Sequence, residues 1–271
     1  MERIKRAERL SAITHILTTT PNRIHGFSEF CEMFGAAKST ISEDIEIISK
    51  SIARLTDGYV ETLAGVAGGV RYRIKPRPER VRATLDMLCK RLSEPGRMLP
   101  GGFLYTSDIT TESNTITAIA ELVASAYYDS CPDIVLTMET KGIPIATEVA
   151  RMLDVPLVIA RRDSRAYEGS AVKINYIAGN GVDLETMALA RRAVKPGQKA
   201  LIVDDFMKAG GTLRGMRDLM REFQVDVVGI AVLISASREA AEKLNVKSLL
   251  SFEGSDDQTR GAFVRSTGHF E

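Results

Sequence analysis

Two adjacent carboxylates, Asp204 and Asp205, end a short apolar run in the second half of the chain. A turn of small residues follows and closes on the hydroxyl of Thr212. The glycines at 210 and 211 allow the backbone to approach an anion closely, and the free N–H groups at a helix start attract phosphate. Carboxylates suit the hydroxyls of a vicinal diol, such as a ribose, or a cation. The segment therefore predicts a phosphate site beside a diol or cation site.

A buried strand and a helix must hold this turn in place. Residues 200–203 are continuously apolar, and residues 213–223 carry apolar side chains at helical spacing. The glycine and lysine spacing of a Walker loop is absent. The sequence therefore predicts a strand, a phosphate-sized turn and a helix in direct succession.

Strands and helices alternate through the rest of this half. The pattern predicts strands at 134–137, 157–160, 227–234 and 249–252, an exposed hairpin strand at 171–176, and helices at 115–128, 143–153 and 239–244. Such alternation predicts an α/β fold with a doubly wound parallel sheet. Ligands bind these sheets at the carboxyl ends of the strands, which is where the acid pair falls.

The first 75 residues show a different pattern, with three helices followed by two strands around a glycine-rich turn. Strands are expected at 59–63 and 70–74, and the third helix is expected to begin near Thr40 or slightly earlier. This order is typical of a winged helix-turn-helix, although a small helical packing domain has the same pattern. A recognition helix presents its first residues to the major groove, and a wing contacts phosphates. The residues expected to bind DNA are Lys38, Ser39, Thr40, Ser42, Arg71 and Arg73.

Charged residues near the third helix give opposing indications about DNA binding. Arg6 and Arg9 add positive charge nearby in sequence, whereas Glu43 and Asp44 oppose a basic helix. Asp44 could instead pair with a local cation. The net charge of the whole chain is +1, so any nucleic-acid surface must be local.

Composition argues against a disulfide-rich secreted protein, a metal-binding protein and a membrane protein. The chain has 271 residues, enough for two domains, with 44% hydrophobic and 26% charged residues. Three widely spaced cysteines and three scattered histidines predict neither a disulfide framework nor a metal site. We find no signal peptide and no apolar run long enough to span a bilayer, so a cytoplasmic location without membrane contact is expected.

The acid-pair segment resembles the phosphoribosyl pyrophosphate (PRPP) motif of type I phosphoribosyltransferases. That resemblance implies that the acids hold the ribose hydroxyls, that the following turn holds the 5-phosphate, and that the loop after strand 134–137 holds the pyrophosphate. Lys208 is a departure, because most enzymes of the family have a small residue there. The residues expected to bind PRPP are Thr140, Lys141, Gly142, Asp204, Asp205, Phe206, Lys208, Ala209, Gly210, Gly211 and Thr212.

The whole chain also resembles the purine operon repressors of Gram-positive bacteria. The segments that carry this resemblance are 38–44, 67–72, 99–102, 140–144, 168–170, 174–176 and 201–212. It implies a winged-helix DNA-binding domain at 1–75, a linker helix at 76–100 and a phosphoribosyltransferase-like effector domain at 101–271. It further implies a homodimer that represses purine genes, binds duplex operator DNA and is released from it by PRPP.

The same resemblance implies no transferase activity and no required cofactor, with PRPP as effector, either alone or with Mg²⁺. Two alternatives share the site. One is an active purine phosphoribosyltransferase with an accessory N-terminal domain, and the other is a sensor of another pyrophosphate-bearing nucleotide, such as guanosine tetraphosphate. A polar hairpin at 161–180 matches the segment that closes over PRPP in the family. We expect its Arg161, Arg162 and Arg165 to face DNA without PRPP and to face PRPP when it is bound.

Overall fold

The structure, a computed structural model, describes residues 4–65, 68–99, 103–163, 169–178, 183–256 and 261–270. The chain divides into two compact units, one of residues 1–77 with 151–154 and one of residues 78–150 with 155–271. Several residues singled out in the sequence lie outside the described ranges: the middle of the glycine-rich turn at 66–67, the segment 100–102, Arg165 and Glu168.

The first unit contains three helices and one antiparallel strand pair. These are α1 (Arg6–Thr19), α2 (Phe27–Phe34), α3 (Lys38–Leu55), β1 (Gly58–Leu63) and β2 (Gly69–Ile74). Apolar residues from all three helices and from Val70 form one buried core. α2 ends at Gly35, whose φ of 58° lies in the left-handed region that glycine adopts without steric cost. The expected order of helices and strands is present.

The third helix begins at Lys38, slightly before Thr40, which is within the range expected from the sequence. Ala37 has extended backbone angles, and its carbonyl accepts the first helical hydrogen bond from the Ile41 N–H at 3.1 Å. Thr40 therefore lies inside the first turn of α3 and does not cap it. The exposed surface of that first turn begins at Lys38.

The second unit is built on a six-stranded sheet. Its elements are α4 (Pro78–Leu92), β3 (Met98–Leu99), β4 (Phe103–Leu104), α5 (Ser107–Thr110), α6 (Ser113–Tyr127), β5 (Ile134–Met138), α7 (Ile143–Leu153), β6 (Leu157–Ala160), β7 (Ala171–Ile177), β8 (Leu184–Ala190), β9 (Lys199–Met207), α8 (Gly211–Glu222), β10 (Asp226–Ser235), α9 (Arg238–Leu244), β11 (Val246–Asp256) and β12 (Gly261–Ser266). The strand order is β12-β11-β10-β9-β5-β6, and only the β11–β12 pairing is antiparallel. The doubly wound parallel sheet is confirmed, with an added antiparallel edge strand.

Helices cover the two faces of this sheet. Ile230 and Val232 of β10 belong to a buried cluster with residues of α8 and α9. Gly229 alternates with them along the strand and faces the ring of Tyr127, which α6 contributes on the opposite face. The Tyr127 hydroxyl donates to the Ile230 carbonyl at 3.2 Å. α4, which the sequence placed in a linker, is grouped with this second unit, and its apolar stripe is buried.

The strands that sequence patterns did not predict are β8, β12 and the short β3–β4 pair. β7 and β8 form an antiparallel hairpin apart from the main sheet. β8 reads Leu-Glu-Thr-Met-Ala-Leu-Ala, in which Thr186 is the single β-branched residue and no residue is aromatic, so few of its residues favour strands. Pairing across the hairpin, rather than local propensity, makes this segment extended. Among the described residues, no helix is long and apolar enough to cross a membrane.

Candidate functional site

The acid pair lies at the carboxyl end of β9, where both side chains are buried. Asp204 is 7% exposed and Asp205 is 8% exposed. Oδ1 of Asp204 accepts a hydrogen bond from the Asp205 N–H at 3.0 Å. β9 continues beyond the acids to Met207, because Phe206 and Met207 remain paired with β10. The strand therefore holds both carboxyls in fixed positions.

Burial raises the pKa of both carboxyls above the usual value for aspartate. For Asp204 the rise is large, and the charge of Asp205 adds to the effect of burial. For Asp205 burial is opposed by the positive charge of Lys141 and by a hydrogen bond from the Asp204 side chain. At a pH where one proton remains on the pair, Asp204 is the carboxyl that carries it, because its pKa is raised further. The pair can accept diol hydrogen bonds or a cation fully only after that proton leaves.

The loop after β5 rests directly on the acid pair. A Cβ atom at Gly142 would overlap Oδ1 of Asp204 and lie 2.6 Å from Oγ1 of Thr137. The peptide bond between Glu139 and Thr140 is cis. Because Gly142 allows this approach and the charge of Lys141 reaches Asp205, the two loops expected to hold one ligand do meet at the sheet edge.

Sequence reasoning missed Thr137, the residue that precedes the end of β5. Its side chain is fully buried, and its Oγ1 has no hydrogen-bond partner within the part of the chain that the structure describes. An unpaired buried hydroxyl is costly. The only signal in the sequence is a polar residue at the carboxyl end of an otherwise apolar strand.

The turn after β9 has the geometry of an anion-binding turn. Gly210 has φ 76° and ψ 14°, and it caps the first turn of α8. Gly211 lies against β7, because a Cβ atom there would overlap the carbonyl oxygen of Ile177. Both glycines are therefore required by backbone conformation or by close packing. Phe206 is half-buried and Lys208 is exposed.

The hairpin β7–β8 also contacts this turn through a side chain that sequence reasoning did not assign. The hydroxyl of Tyr176 donates to Oε2 of Glu185 at 2.6 Å and hydrogen-bonds the Thr212 hydroxyl. Burial and the Glu185 carboxylate raise the pKa of Tyr176 to about 12. The tyrosine is consequently neutral at physiological pH. It ties the hairpin to the first turn of α8.

The start of the polar segment at 161–180 is tied to the loop after β5. Nη1 of Arg161 donates to Oε2 of Glu139 at 3.2 Å, and the Arg162 N–H donates to Oε1 at 2.8 Å. The backbone of Arg161 also bridges to Ala188 of β8. Arg161 therefore faces Glu139 in this state.

A cleft of about 1070 Å³ lies beside the turn, between α9, β11 and the C-terminal residues. It is lined by Lys208, Arg238, Phe252 and His269, among others. Of the residues expected to bind PRPP, Lys208 alone lines this cleft, and the acid pair does not. Lys208 thus faces a space that the other expected ligand residues do not line. Among the described residues, no group of three or more His, Cys, Asp and Glu side chains could hold a metal ion.

In the first unit, the expected recognition residues form one surface at the start of α3. Lys38, Ser39 and Ser42 are exposed, and Thr40 is half-buried. The Lys38 ammonium lies 5.9 Å from the centre of the Phe27 ring, which favours its position at the helix start. These side chains are available to a groove.

Asp44 pairs with local cations, as the sequence had suggested. It is fully buried, and it accepts hydrogen bonds from Nε of Arg6 at 2.9 Å and Nε of Arg9 at 2.8 Å. The Arg9 side chain is only 11% exposed. Arg6 and Arg9, which were expected to add positive charge near the third helix, therefore mainly join α1 to α3 through Asp44.

Arg73, which was expected on the DNA surface, is instead buried within the unit. It is 4% exposed, with Nε donating to Oδ1 of Asn22 at 2.9 Å and Nη1 lying 3.3 Å from Glu61. Arg71 lies opposite Glu61 in the strand pair and donates to it at 2.8 Å. This bond holds the pKa of Glu61 below its usual value. Both arginines are thus turned toward Glu61.

Comparison with known proteins finds a matching protein family for each of the two units. The family described as "Bacterial purine repressor, N-terminal" matches residues 5–74, and the family described as "Phosphoribosyl transferase domain" matches residues 106–262. The probable purine biosynthesis transcriptional regulator PurR of Streptococcus pneumoniae is 38% identical over 271 residues, covering 99% of this chain and 98% of that protein. The chain belongs to the PurR family. Its first unit is the PurR N-terminal domain.

Other PurR relatives differ in the direction of regulation that their names state. The purine biosynthesis transcriptional repressor PurR of Bacillus subtilis is 41% identical over 86% of this chain and 82% of that protein. The purine biosynthesis transcriptional activator PurR of Lactococcus lactis is 38% identical over 97% of each. Among solved structures, an adenine phosphoribosyltransferase from Thermoanaerobacter pseudethanolicus is similar, with a TM-score of 0.54, 21% identity, and coverage of 61% of this chain and 99% of that chain. This likeness supports the fold of the second unit.

Proposed function

We propose that this protein is a transcriptional repressor of purine biosynthesis genes that binds operator DNA and responds to PRPP. The observation that carries the proposal is that PurR regulators match the chain across both units. Of the two named directions of regulation, repression has the support of the relative with 41% identity.

DNA binding is proposed to use the first turns of α3. The side chains of Lys38, Ser39 and Ser42 project from one exposed surface there, with Thr40 beside them. Arg71 is proposed to contact a DNA phosphate after exchanging its hydrogen bond to Glu61 for that phosphate. Arg73 is proposed to stabilise the unit and not to contact DNA. A homodimer would present two such helices to two half-sites.

PRPP is proposed to bind across the carboxyl ends of β5 and β9. The acid pair supplies acceptors for the ribose hydroxyls, Lys141 and the loop to Gly142 face the pyrophosphate, and the turn to Thr212 faces the 5-phosphate. Mg²⁺ could accompany the pyrophosphate. Lys208 lines the cleft beside α9, and we propose that it binds the part of PRPP that reaches this cleft.

The second unit is proposed to bind PRPP without transferring it. Relatives that match nearly the whole chain are named as regulators. An active purine phosphoribosyltransferase with an accessory domain is the second candidate, because the fold is shared with adenine phosphoribosyltransferase. A sensor of guanosine tetraphosphate is the third, since that nucleotide also carries pyrophosphate.

The test is a gel shift of the full chain with a duplex from the upstream region of a purine biosynthesis gene. We expect a specific complex that PRPP with Mg²⁺ dissolves. Failure to bind the duplex, or a complex that PRPP leaves intact, contradicts the proposal. Guanosine tetraphosphate in place of PRPP tests the third candidate, and release of pyrophosphate from PRPP with adenine, guanine, hypoxanthine or xanthine tests the second.

A further inference from the structure

Arg214 lies in the first turn of α8 and reaches back to the turn that precedes the helix. Its Nη2 donates to the carbonyl oxygen of Ala209 at 2.6 Å, and its Nε donates to the carbonyl oxygen of Gly210 at 3.4 Å. The Gly210 oxygen also accepts the helical hydrogen bond from the Arg214 N–H at 3.0 Å. The Ala209 oxygen precedes the helix, so no intrahelical hydrogen bond fixes its direction. The guanidinium supplies that restraint.

The direction of the Ala209 carbonyl decides what the turn presents to an anion. The Ala209–Gly210 peptide is trans, and in a trans peptide the C=O and the following N–H point in opposite directions. Drawing the Ala209 oxygen toward Arg214 therefore turns the Gly210 N–H away from Arg214. If this peptide were reversed, a carbonyl lone pair would replace the N–H and would repel a phosphate. The left-handed backbone of Gly210, with φ 76°, makes such rotation sterically cheap, so a restraint is needed.

A guanidinium suits this task better than an ammonium. Its planar fork holds two acceptors at once and stays charged at all physiological pH values, whereas a lysine ammonium is a single charge on a flexible stem. The Arg214 side chain is exposed, so losing it creates no buried cavity. An effect of substitution on ligand binding would therefore come from the turn and not from a damaged core.

We propose that Arg214 is a positioning residue for the 5-phosphate of PRPP, acting through the Ala209 and Gly210 carbonyls. It keeps the N–H groups of the turn directed at the phosphate. This inference rests on the proposed PRPP site and names the side chain that organises one half of it.

The experiment compares Arg214→Ala, Arg214→Lys and Arg221→Ala in the full chain. Arg221 is the matched control, because it lies on the same helix, is 74% exposed and pairs with Asp218 at 3.1 Å. Ribose 5-phosphate and pyrophosphate are titrated separately and followed by NMR at the backbone amides of Gly210 and Gly142. The first amide reports on the turn before α8, and the second reports on the loop after β5.

We expect Arg214→Ala to weaken ribose 5-phosphate binding at Gly210 by about 10- to 100-fold, the effect of losing one charge-assisted hydrogen bond from the turn to the phosphate. Pyrophosphate binding at Gly142 should stay the same, and Arg214→Lys should recover only part of the loss. Ribose 5-phosphate affinity equal to wild type in Arg214→Ala, or full recovery in Arg214→Lys, overturns the inference. If ribose 5-phosphate leaves the Gly210 amide of the wild-type protein unmoved, the proposed PRPP site itself is contradicted, and the inference fails with it.

Discussion

Gly142 and Asp204 lie so close together that a single added carbon atom at Gly142 would overlap a carboxylate oxygen of Asp204. Asp204 lies on β9, and Gly142 ends the loop that follows the neighbouring strand β5. The loop proposed to hold pyrophosphate thus packs on the acid pair proposed to hold ribose. A ligand that spans both would meet one rigid surface.

Gly142→Ala should therefore disrupt binding. We expect PRPP affinity to fall by at least about tenfold and stability to fall by about 1–3 kcal/mol, because the loop must move away from Asp204. Calorimetric titration and thermal unfolding measure the two effects. Gly26→Ala is the control, since its Cβ atom would meet only the Ser28 hydroxyl at an ordinary 3.5 Å. Wild-type PRPP affinity in Gly142→Ala would show that the loop does not take part.

PRPP binding should depend on pH through the acid pair. Burial raises the pKa of Asp204 and Asp205, so the pair retains a proton at pH values where exposed aspartates have lost theirs. Because the ribose hydroxyls need the ionised pair, affinity should rise as the pH rises through the raised pKa, and binding should release a proton. Calorimetry in two buffers of different ionisation enthalpy measures that release, with pyrophosphate alone as the control ligand. Equal proton release with both ligands would contradict this account.

Asp204→Asn should separate stability from binding. A carboxyl whose pKa is raised by folding contributes stability at low pH, and that contribution is lost as the pH rises through the folded pKa. Removing the charge should thus stabilise the protein near neutral pH by about 0.5–2 kcal/mol, a usual gain at a functional site. It should also weaken PRPP binding by about tenfold to a hundredfold while leaving DNA affinity near wild type. The stability difference between Asp204→Asn and wild type should be larger at pH 7.5 than at pH 5. A smaller difference at pH 7.5 would contradict this prediction.

Asp44→Ala should destabilise the first unit strongly. The fully buried carboxylate joins Arg6 and Arg9, and its loss leaves the nearly buried Arg9 without its partner. We expect a cost of about 2–4 kcal/mol, seen as a lower unfolding midpoint. The control is Glu46→Ala, which removes an exposed ion pair with Lys50 and should change stability by less than about 0.5 kcal/mol. Equal midpoints for the two variants would show that the buried pair contributes little.

Lys38→Ala and Arg73→Ala should affect DNA binding in different ways. Lys38 is exposed at the start of α3, so its loss should weaken binding to all duplexes and reduce the salt slope by about one. Arg73 is buried against Asn22 and Glu61, so its loss should lower the unfolding midpoint of the unit instead. Fluorescence anisotropy at several salt concentrations, together with thermal unfolding, distinguishes the two. A reduced salt slope with unchanged stability in Arg73→Ala would show that Arg73 contacts DNA.

The sequence determined the features that depend on neighbouring residues. The bounds expected for α7 and β6 are those observed, because both segments carry regular apolar patterns between clear breaks. The acid pair was placed correctly in the last part of a buried strand, although β9 continues through the acids to Met207 where the apolar run had suggested an end at Val203. The order of helices and strands in the first unit followed from the same local signals.

Contacts between distant residues were decided only by the tertiary structure. A basic residue in a sequence gives no sign of whether it will face solvent or a buried acid, so pattern alone could not show that Arg73 faces Glu61 or that Arg9 faces Asp44. β8 became a strand through pairing with β7, against its own composition. The unpaired hydroxyl of Thr137 and the hold of Arg214 on the Ala209 carbonyl likewise depend on packing geometry. Local periodicity fixes which elements form, whereas burial and hydrogen-bond partners are set by the three-dimensional assembly of those elements.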